Sequence, residues 1–297
     1  MDVRPTLLLS IDFEDWHQLV HRRLGRVDWD RPHPAFPRQV HALLDLLDEL
    51  DATATFFMLG MTVANYPELT CEIVARGHEP ASHGFAHVRV HAQMREQFES
   101  DVRRSVETIE QVTGRRPIAY RAPAFSITRR TPWAYEILSQ LGFRCDSSQY
   151  DSPRIPERIG AIPDAPYRLR LSSGPELWEF PVATWGPVPI GGGSYWRLLP
   201  APLIRRGLDD FRVLYFHPYE FAAEPLRANL PPSPTPRQRA TATGRSLWRN
   251  AGRGLVAKRL RQVARRYRLV SYDQAYDDVA RRYGTRTRAL SQEGVLV

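Results

Sequence analysis

An α/β fold built around a parallel sheet is the architecture this sequence predicts, on three observations. Strand-like and helix-like runs alternate from the N-terminus, the signature of βα units. The first strand-like run is almost continuously apolar, as expected of a strand buried on both faces. The 297 residues are 42% hydrophobic and 25% charged, a composition that supports one large domain or two small ones and excludes disorder as the dominant state.

Residues 6–11 (TLLLSI) are the first strand, with acidic residues at its C-terminal end. Phe36, Val40, Leu43, Leu44, Leu47 and Leu50 then recur at helical spacing. Residues 53–59 (TATFFML) predict the second strand. Asn65 is expected to cap the next helix, with Pro67 in its first turn, an apolar face of Leu69, Ile73 and Val74, and a stop at Gly77. A short third strand follows at 78–82. Phe98, Val102, Val106, Ile109 and Val112 mark a helix, 118–121 a strand, 133–141 a helix stopped by Gly142, and 143–146 a strand. The pattern then weakens, leaving 178–182 and 213–217 as clear strands. Residues 225–243, with Pro231, Pro232, Pro234 and Pro236, read as a loop. Val256, Leu260, Val263, Ala264 and Tyr267 predict an amphipathic helix, and 269–272 a last strand. No internal repeat and no sharp boundary is visible; the expected division is a domain over 1–225 and a Pro-rich, basic extension over 226–297 packed on it.

The net charge is +8, from 41 basic and 33 acidic residues, and Lys258 is the only lysine. Twelve basic and no acidic residues fall between Pro225 and Tyr272, so subtracting them leaves −4 for the rest. A mildly acidic body argues against nucleic acid as a partner. The basic segment is suited to acidic sugars, anionic lipid headgroups or another protein, while the helix near Arg259 to Arg268 reads first as a solvated face and second as a binding site. Cys71 and Cys145 can build neither a disulfide scaffold nor an all-cysteine zinc site, so a metal would be held by His and carboxylate. No run approaches the roughly 18 apolar residues of a membrane span, and the opening residues, Met1 to Pro5, do not begin a signal peptide. These features lead to the expectation of a cytoplasmic protein, with peripheral contact at the inner membrane.

Active sites of parallel βα architectures sit where strands end, and four strand ends here carry chemistry. Asp12, Glu14 and Asp15 follow the first; alternation puts Asp12 and Glu14 on one face, and the alternative is a set of solvated carboxylates. His83 and His87, in SHGFAH, can meet one metal ion if the turn at Gly84 is tight. Two His and one carboxylate with open positions form a hydrolytic site, in which the metal brings bound water to a pKa of about 7. His78 and His91 flank the motif and read as surface or structural. In YRAPAF, Arg121 can reach a buried carboxylate as a forked donor. His217, at the end of LYFH, is placed to act as an acid, and Asp146 could hold it protonated or else serve as a helix cap. Gly191 to Gly193 let a loop approach the substrate, with Tyr195 and Trp196 available to stack on sugar; Trp16 and Trp185 are further candidates for stacking or core. No phosphate loop and no G-x-S-x-G elbow is present.

Together these pieces resemble the NodB-homology polysaccharide deacetylases, carbohydrate esterase family 4. SIDFED, SHGFAH, RAPAF and LYFH stand in the family's order from Ser10 to His217. YRAPAFSIT, GFRCDSS, EFP, GGGSYWRLLP and FHPYE resemble the branch associated with exopolysaccharide and exosortase gene clusters. The resemblance implies an incomplete or distorted (β/α) barrel. It also implies Asp12 as general base, His83 and His87 as metal ligands, His217 as general acid, Arg121 orienting Asp12, and Asp146 tuning His217. The family's usual first motif has two adjacent Asp residues, the second a ligand; here Phe13 intervenes. Strand alternation favours Glu14 as that ligand, and a turn at Phe13 favours Asp15. The backbone N–H near Ala124 and the metal would stabilise an oxyanion. The implied reaction is metal-dependent removal of N-acetyl groups from a polysaccharide, with Zn2+ first and Co2+, Ni2+ or Fe2+ as alternatives, in bacterial exopolysaccharide production and in contact with its synthesis machinery. The competing readings are an amidohydrolase of a small cyclic amide and an inactive carbohydrate-binding protein.

Overall fold

The computed structural model describes residues 4–151, 157, 159–172, 174–291 and 293–297; Met1, Asp2 and Val3 of the opening segment lie outside these. Twelve strands are described: β1 (Thr6–Phe13), β2 (Thr55–Met58), β3 (Glu79–Ser82), β4 (Ala119–Tyr120), β5 (Cys145–Asp146), β6 (Tyr167–Arg170), β7 (Leu177–Glu179), β8 (Thr184–Trp185), β9 (Val188–Pro189), β10 (Val213–Phe216), β11 (Arg268–Val270) and β12 (Thr287–Ala289). The helices are α1 (Trp16–Arg23), α2 (Ala35–Glu49), α3 (Gly60–Asn65), α4 (Pro67–Ala75), α5 (Arg95–Thr113), α6 (Trp133–Gln140), α7 (Tyr195–Leu198), α8 (Ala201–Arg206), α9 (Pro236–Asn250), α10 (Leu255–Ala264) and α11 (Tyr272–Tyr283).

The main sheet runs β10-β1-β2-β3-β4-β5-β7-β6-β12, with β11 also on β1. Every pairing is parallel except β6 with β7. The ends approach each other through the chain after β7: Phe180 N donates to Asp146 O at 2.8 Å, and Ala183 N to Val213 O at 3.0 Å. Single bridges at Val182–Val213 and Gly192–Tyr215 then stand where a full strand would close the ring. The result is a distorted barrel seamed by isolated bridges.

β1 is buried on both faces, which explains its unbroken apolar run. Leu7, Leu9, Ile11 and Phe13 pack outward with the apolar faces of α2 and α10, while Leu8 packs inward with Phe57, Ala81 and Val213. Period-two alternation therefore puts Ser10 and Asp12 on the inner face. The predicted helices at α2, α5 and α6 are present, the last two ended by Gly114 and Gly142 at φ 69° and 88°. Asn65 does not cap α4. It ends α3, and Tyr66 occupies the cap position without a side-chain bond.

The 225–243 segment is not all loop. α9 begins at Pro236, and Thr235 and Gln238 form a reciprocal capping box: Gln238 N donates to Thr235 Oγ1 at 3.2 Å and Thr235 N to Gln238 Oε1 at 2.8 Å. Ala242 is the sole buried residue of α9, so no apolar stripe announced it. Two side chains pin this helix. Gln238 Nε2 donates to Leu24 O at 2.7 Å, and Arg197 Nη1 donates to the carbonyls of Trp248, Arg249 and Ala251 at 2.6, 3.0 and 3.0 Å.

Gly192 shows why a glycine run precedes α7. Its φ is 144°, and a Cβ there would lie 2.0 Å from Tyr215 O. Gly192→Ala is expected to cost about 3 kcal/mol or more, from backbone clash and strain together. Gly186→Ala has open space, so only its left-handed φ of 55° opposes it, a cost of about 1 kcal/mol. Urea denaturation of the two variants checks the difference; equal losses would remove the close-approach explanation.

Candidate active site and metal centre

The strands β1, β3, β4 and β10 end around one cavity of about 620 Å³ whose lining includes Asp12, Glu14, His83, His87, Ala124, Tyr195 and His217. Glu14 N donates to Asp12 O at 3.0 Å, closing a tight turn at Phe13. That turn alone would favour Asp15, yet Glu14 enters the cluster. Asp15 is used elsewhere: it caps α1, accepting from His17 N at 2.9 Å and from the Tyr66 hydroxyl at 3.0 Å. As a metal-ligand candidate Asp15 is therefore corrected to a structural cap.

Glu14 Oε2 lies 3.0 Å from His87 Nε2 and 3.8 Å from His83 Nε2, and the three residues offer ligand atoms all within 4.8 Å of one another. His83 Nδ1 donates to Arg121 O at 2.7 Å, which leaves Nε2 with its lone pair facing the cluster. Burial lowers the pKa of His83 and so favours the neutral imidazole that a ligand must be. Burial works to raise that of Glu14, but His87 and His217 outweigh it and hold the carboxyl well below its usual range. Two imidazole nitrogens, one carboxylate and open positions fit a divalent ion.

The loop carrying both His residues is folded by Gly84 at φ 73° and by His87 at φ 53°. Asp101 of α5 accepts from Phe85 N at 2.8 Å and Ala86 N at 3.2 Å, and a Cβ on Gly84 would meet its Oδ2 at 2.8 Å. Asp101 thus positions the loop of the two candidate ligands from a helix that carries no motif. His78 is buried, its Nδ1 accepting from Ala54 N at 3.3 Å, and His91 is exposed; neither reaches the cluster.

Arg121, fully buried, donates from Nη1 to Asp12 Oδ1 at 2.7 Å. Its Nη2 donates to Ser10 Oγ (2.9 Å), Ser147 Oγ (2.8 Å) and the Tyr272 hydroxyl (3.1 Å), and Nε to Ser147 O (3.0 Å). Burial opposes its charge, and Asp12 more than compensates. Tyr272, the first residue of α11, brings the C-terminal segment against the site from behind.

His217 Nε2 lies 3.3 Å from Glu14 Oε1 and 3.9 Å from Asp12 Oδ2, while Nδ1 lies 3.3 Å from Glu220 Oε2. Burial would lower its pKa, but Glu14 and Glu220 push it up to about 10. Glu220 was not singled out as a site residue, although FHPYE contains it. Asp146 does not take this place. Its Oδ2 accepts from Ser148 Oγ at 2.6 Å, and it lies opposite Glu179 on β7, so the carboxylate beside His217 Nδ1 is Glu220 and not Asp146.

Burial raises the pKa of both Asp146 and Glu179, Asp146 to about 7, because two adjacent carboxyls in an apolar barrel share a proton. Such a pair is protonated in the fold at pH values where the unfolded chain is ionised, so its stability is full below pH 4 and lost as pH rises towards about 7. Glu179→Gln, which keeps the hydrogen bond without the second acid, is expected to flatten that decline. Denaturation midpoints at pH 5 and pH 8 test this; an unchanged slope would place the proton elsewhere.

Ala124 lies on the cavity wall in the left-handed region (φ 55°), followed by Phe125 at 54°; consecutive non-glycine residues there store strain. Tyr195 and Trp16 also line the cavity, while Trp185 is exposed outside its lining. Trp196 does not serve as a sugar-stacking residue. It is fully buried against Phe216 (4.9 Å between rings), and its Nε1 donates to Ile190 O at 2.6 Å. The first turn of α7 points it into the core shared with Ile190 and Ile204.

Residues 30–145 match the family model described as polysaccharide deacetylase, and residues 152–277 match a domain of unknown function, DUF3473. A peptidoglycan deacetylase of Helicobacter pylori is 34% identical over 106 residues, 36% of this chain and 35% of that protein. A chitooligosaccharide deacetylase of Azorhizobium caulinodans is 28% identical over 144 residues, 46% of this chain and 64% of that one. The chain thus spans between about a third and two thirds of these relatives' length. Among solved structures, a putative polysaccharide deacetylase from Mycobacterium smegmatis aligns with TM-score 0.59 at 22% identity, covering 95% of this chain and 93% of that one. Peptidoglycan deacetylase PdaC from Bacillus subtilis aligns at 0.51 and 16%, covering 95% of each; at these identities the likeness is one of fold. Two segments in succession thus carry the likeness, residues 30–145 to polysaccharide deacetylases and residues 152–277 to the domain of unknown function DUF3473.

Proposed function

We propose that this protein is a metal-dependent hydrolase that removes N-acetyl groups from N-acetylhexosamine units of a polysaccharide. The observation that carries the reading is the convergence of Glu14, His83 and His87 beside Asp12 and His217 in one cavity. The relatives' names, peptidoglycan and chitooligosaccharide deacetylase, support an N-acetylated glycan as substrate.

Glu14, His83 and His87 would hold the ion, zinc being the first candidate, and such an ion supplies Lewis acidity to water and to the amide carbonyl. Asp12, oriented by Arg121, would accept the proton of the attacking water through the carboxylate oxygen that faces His217. His217, oriented by Glu220, would deliver a proton to the leaving amine. The N–H of Ala124 would donate to the developing oxyanion. Each proton-transfer group is expected to contribute roughly 10²- to 10⁴-fold in rate. Acetate and a glucosamine-type sugar result.

The resemblance of the GGGSYWRLLP and FHPYE segments supports a role in exopolysaccharide production, and the basic 225–272 segment supports contact with an anionic surface at the inner membrane face. No helix among the described residues is long and apolar enough to cross a membrane. Cell fractionation at low and high salt tests the location.

The reaction itself is tested by acetate release from N-acetylglucosamine oligomers before chelation, after it, and with zinc restored. Release that disappears with chelation and returns with zinc is expected. Metal-loaded protein that releases no acetate from any oligomer would overturn the reading.

A further inference from the structure

Five arginines line the same cavity: Arg22 and Arg23 at the end of α1, Arg89 beyond the His loop, and Arg245 and Arg249 on α9. The acids among the lining residues are Asp12 and Glu14, and Asp12 is already paired with Arg121. The lining is therefore cationic before any metal is bound, on a body whose charge outside 225–272 is −4.

Many arginines on this surface face a carboxylate, as Arg26, Arg38, Arg76 and Arg261 do. Among the described residues, none of the five cavity arginines has a carboxylate oxygen within 4.0 Å. Two are nonetheless held in place: Arg22 Nη1 donates to Ala86 O at 2.8 Å and stacks over Trp29 at 4.9 Å, and Arg249 lies over the Tyr219 ring at 5.1 Å. The α9 pair is brought to the mouth by the capping box and by Arg197, which fix a helix otherwise poor in apolar contacts. Guanidinium groups with no carboxylate in ion-pair contact, two of them fixed, around one cavity are the arrangement that receives a planar anion.

We infer that the glycan bound here is anionic, carrying a carboxylate or a phosphate on or next to the N-acetylated sugar, and that the rim arginines recognise that group. The inference deepens the deacetylase reading and rests on it for the identity of the cavity.

The test measures binding and turnover separately on metal-loaded protein. The probes are neutral N-acetylglucosamine tetramer, an N-acetylglucosamine–glucuronate tetrasaccharide, its methyl ester, and the tetramer 1-phosphate. At low salt, at least one charged probe is expected to bind ten-fold or more tighter than its neutral counterpart, and the advantage should shrink at 0.5 M salt. Which charged probe wins separates carboxylate from phosphate. Arg245→Gln with Arg249→Gln should bring the charged-to-neutral ratio towards one, as should the exposed Arg89→Gln, which guards against a folding defect in the first pair. Arg265→Gln with Arg266→Gln removes the same charge outside the cavity and should leave the ratio in place. Equal binding of all probes, or an equal fall with the outside pair, overturns the inference. Acetate release with no charge preference would sink this inference alone. Charge-selective binding without acetate release from any probe would sink the deacetylase reading and leave anion recognition standing.

Discussion

His83→Ala is expected to abolish stoichiometric metal binding and to lower acetate release by at least about 10³-fold, the scale of several kcal/mol of lost transition-state stabilisation. The ring is buried, its Nδ1 is committed to Arg121 O, and its Nε2 is one of three converging ligand atoms. Removing it leaves two ligands and a cavity that no neighbouring donor fills. Glu14→Gln should lose metal in the same way. Asp15→Ala should keep metal, because Asp15 caps α1 and does not face the cluster; it should instead lower stability by about 1 to 2 kcal/mol. Metal content by elemental analysis and thermal unfolding of the three variants decide the matter. Metal loss in Asp15→Ala with retention in Glu14→Gln would reverse the assignment.

Arg121→Met is expected to cost about 3 to 5 kcal/mol, because it leaves the Asp12 carboxylate buried without its counter-charge. It also strips Ser10, Ser147 and Tyr272 of the donor they share. If the ion pair dominates, adding Asp12→Asn should recover part of the loss, with a coupling of about 1 to 3 kcal/mol in a double-mutant cycle. Urea denaturation of the two single variants and the double gives the answer. A strictly additive double would mean that Arg121 acts through packing, for instance against the Phe57 ring at 4.1 Å, and not through charge. Neither single variant should release acetate at more than a trace rate, since Asp12 would be misplaced or uncharged.

The strands were legible where burial is two-sided. β1 announces itself because Leu7, Leu9, Ile11 and Phe13 face the helices while Leu8 faces the barrel. α2 and α5 announce themselves because each buries one regular stripe. α9 does not, since it buries only Ala242; its capping box at Thr235 and Gln238 was the available signal, hidden in a run of prolines. α11 buries Tyr272, Ala275 and Val279 at helical spacing and could have been found by the same count that found α5. Trp196 was unreadable for another reason: a tryptophan beside a glycine loop looks the same in sequence whether its ring turns to substrate or to core.

By itself, the sequence determined the order and strand-end placement of Asp12, His83, His87, Arg121 and His217, because strand period and strand length are set by neighbours along the chain. Only the tertiary structure decided between carboxylates of the same kind. Glu14 faces the two histidines because Asp15 is held by the start of α1 and by Tyr66, 51 residues away. Glu220 holds His217 because Asp146 is held opposite Glu179 across a strand pair. A carboxylate's role depends on which partner reaches it first in three dimensions, and that competition is between side chains from distant segments.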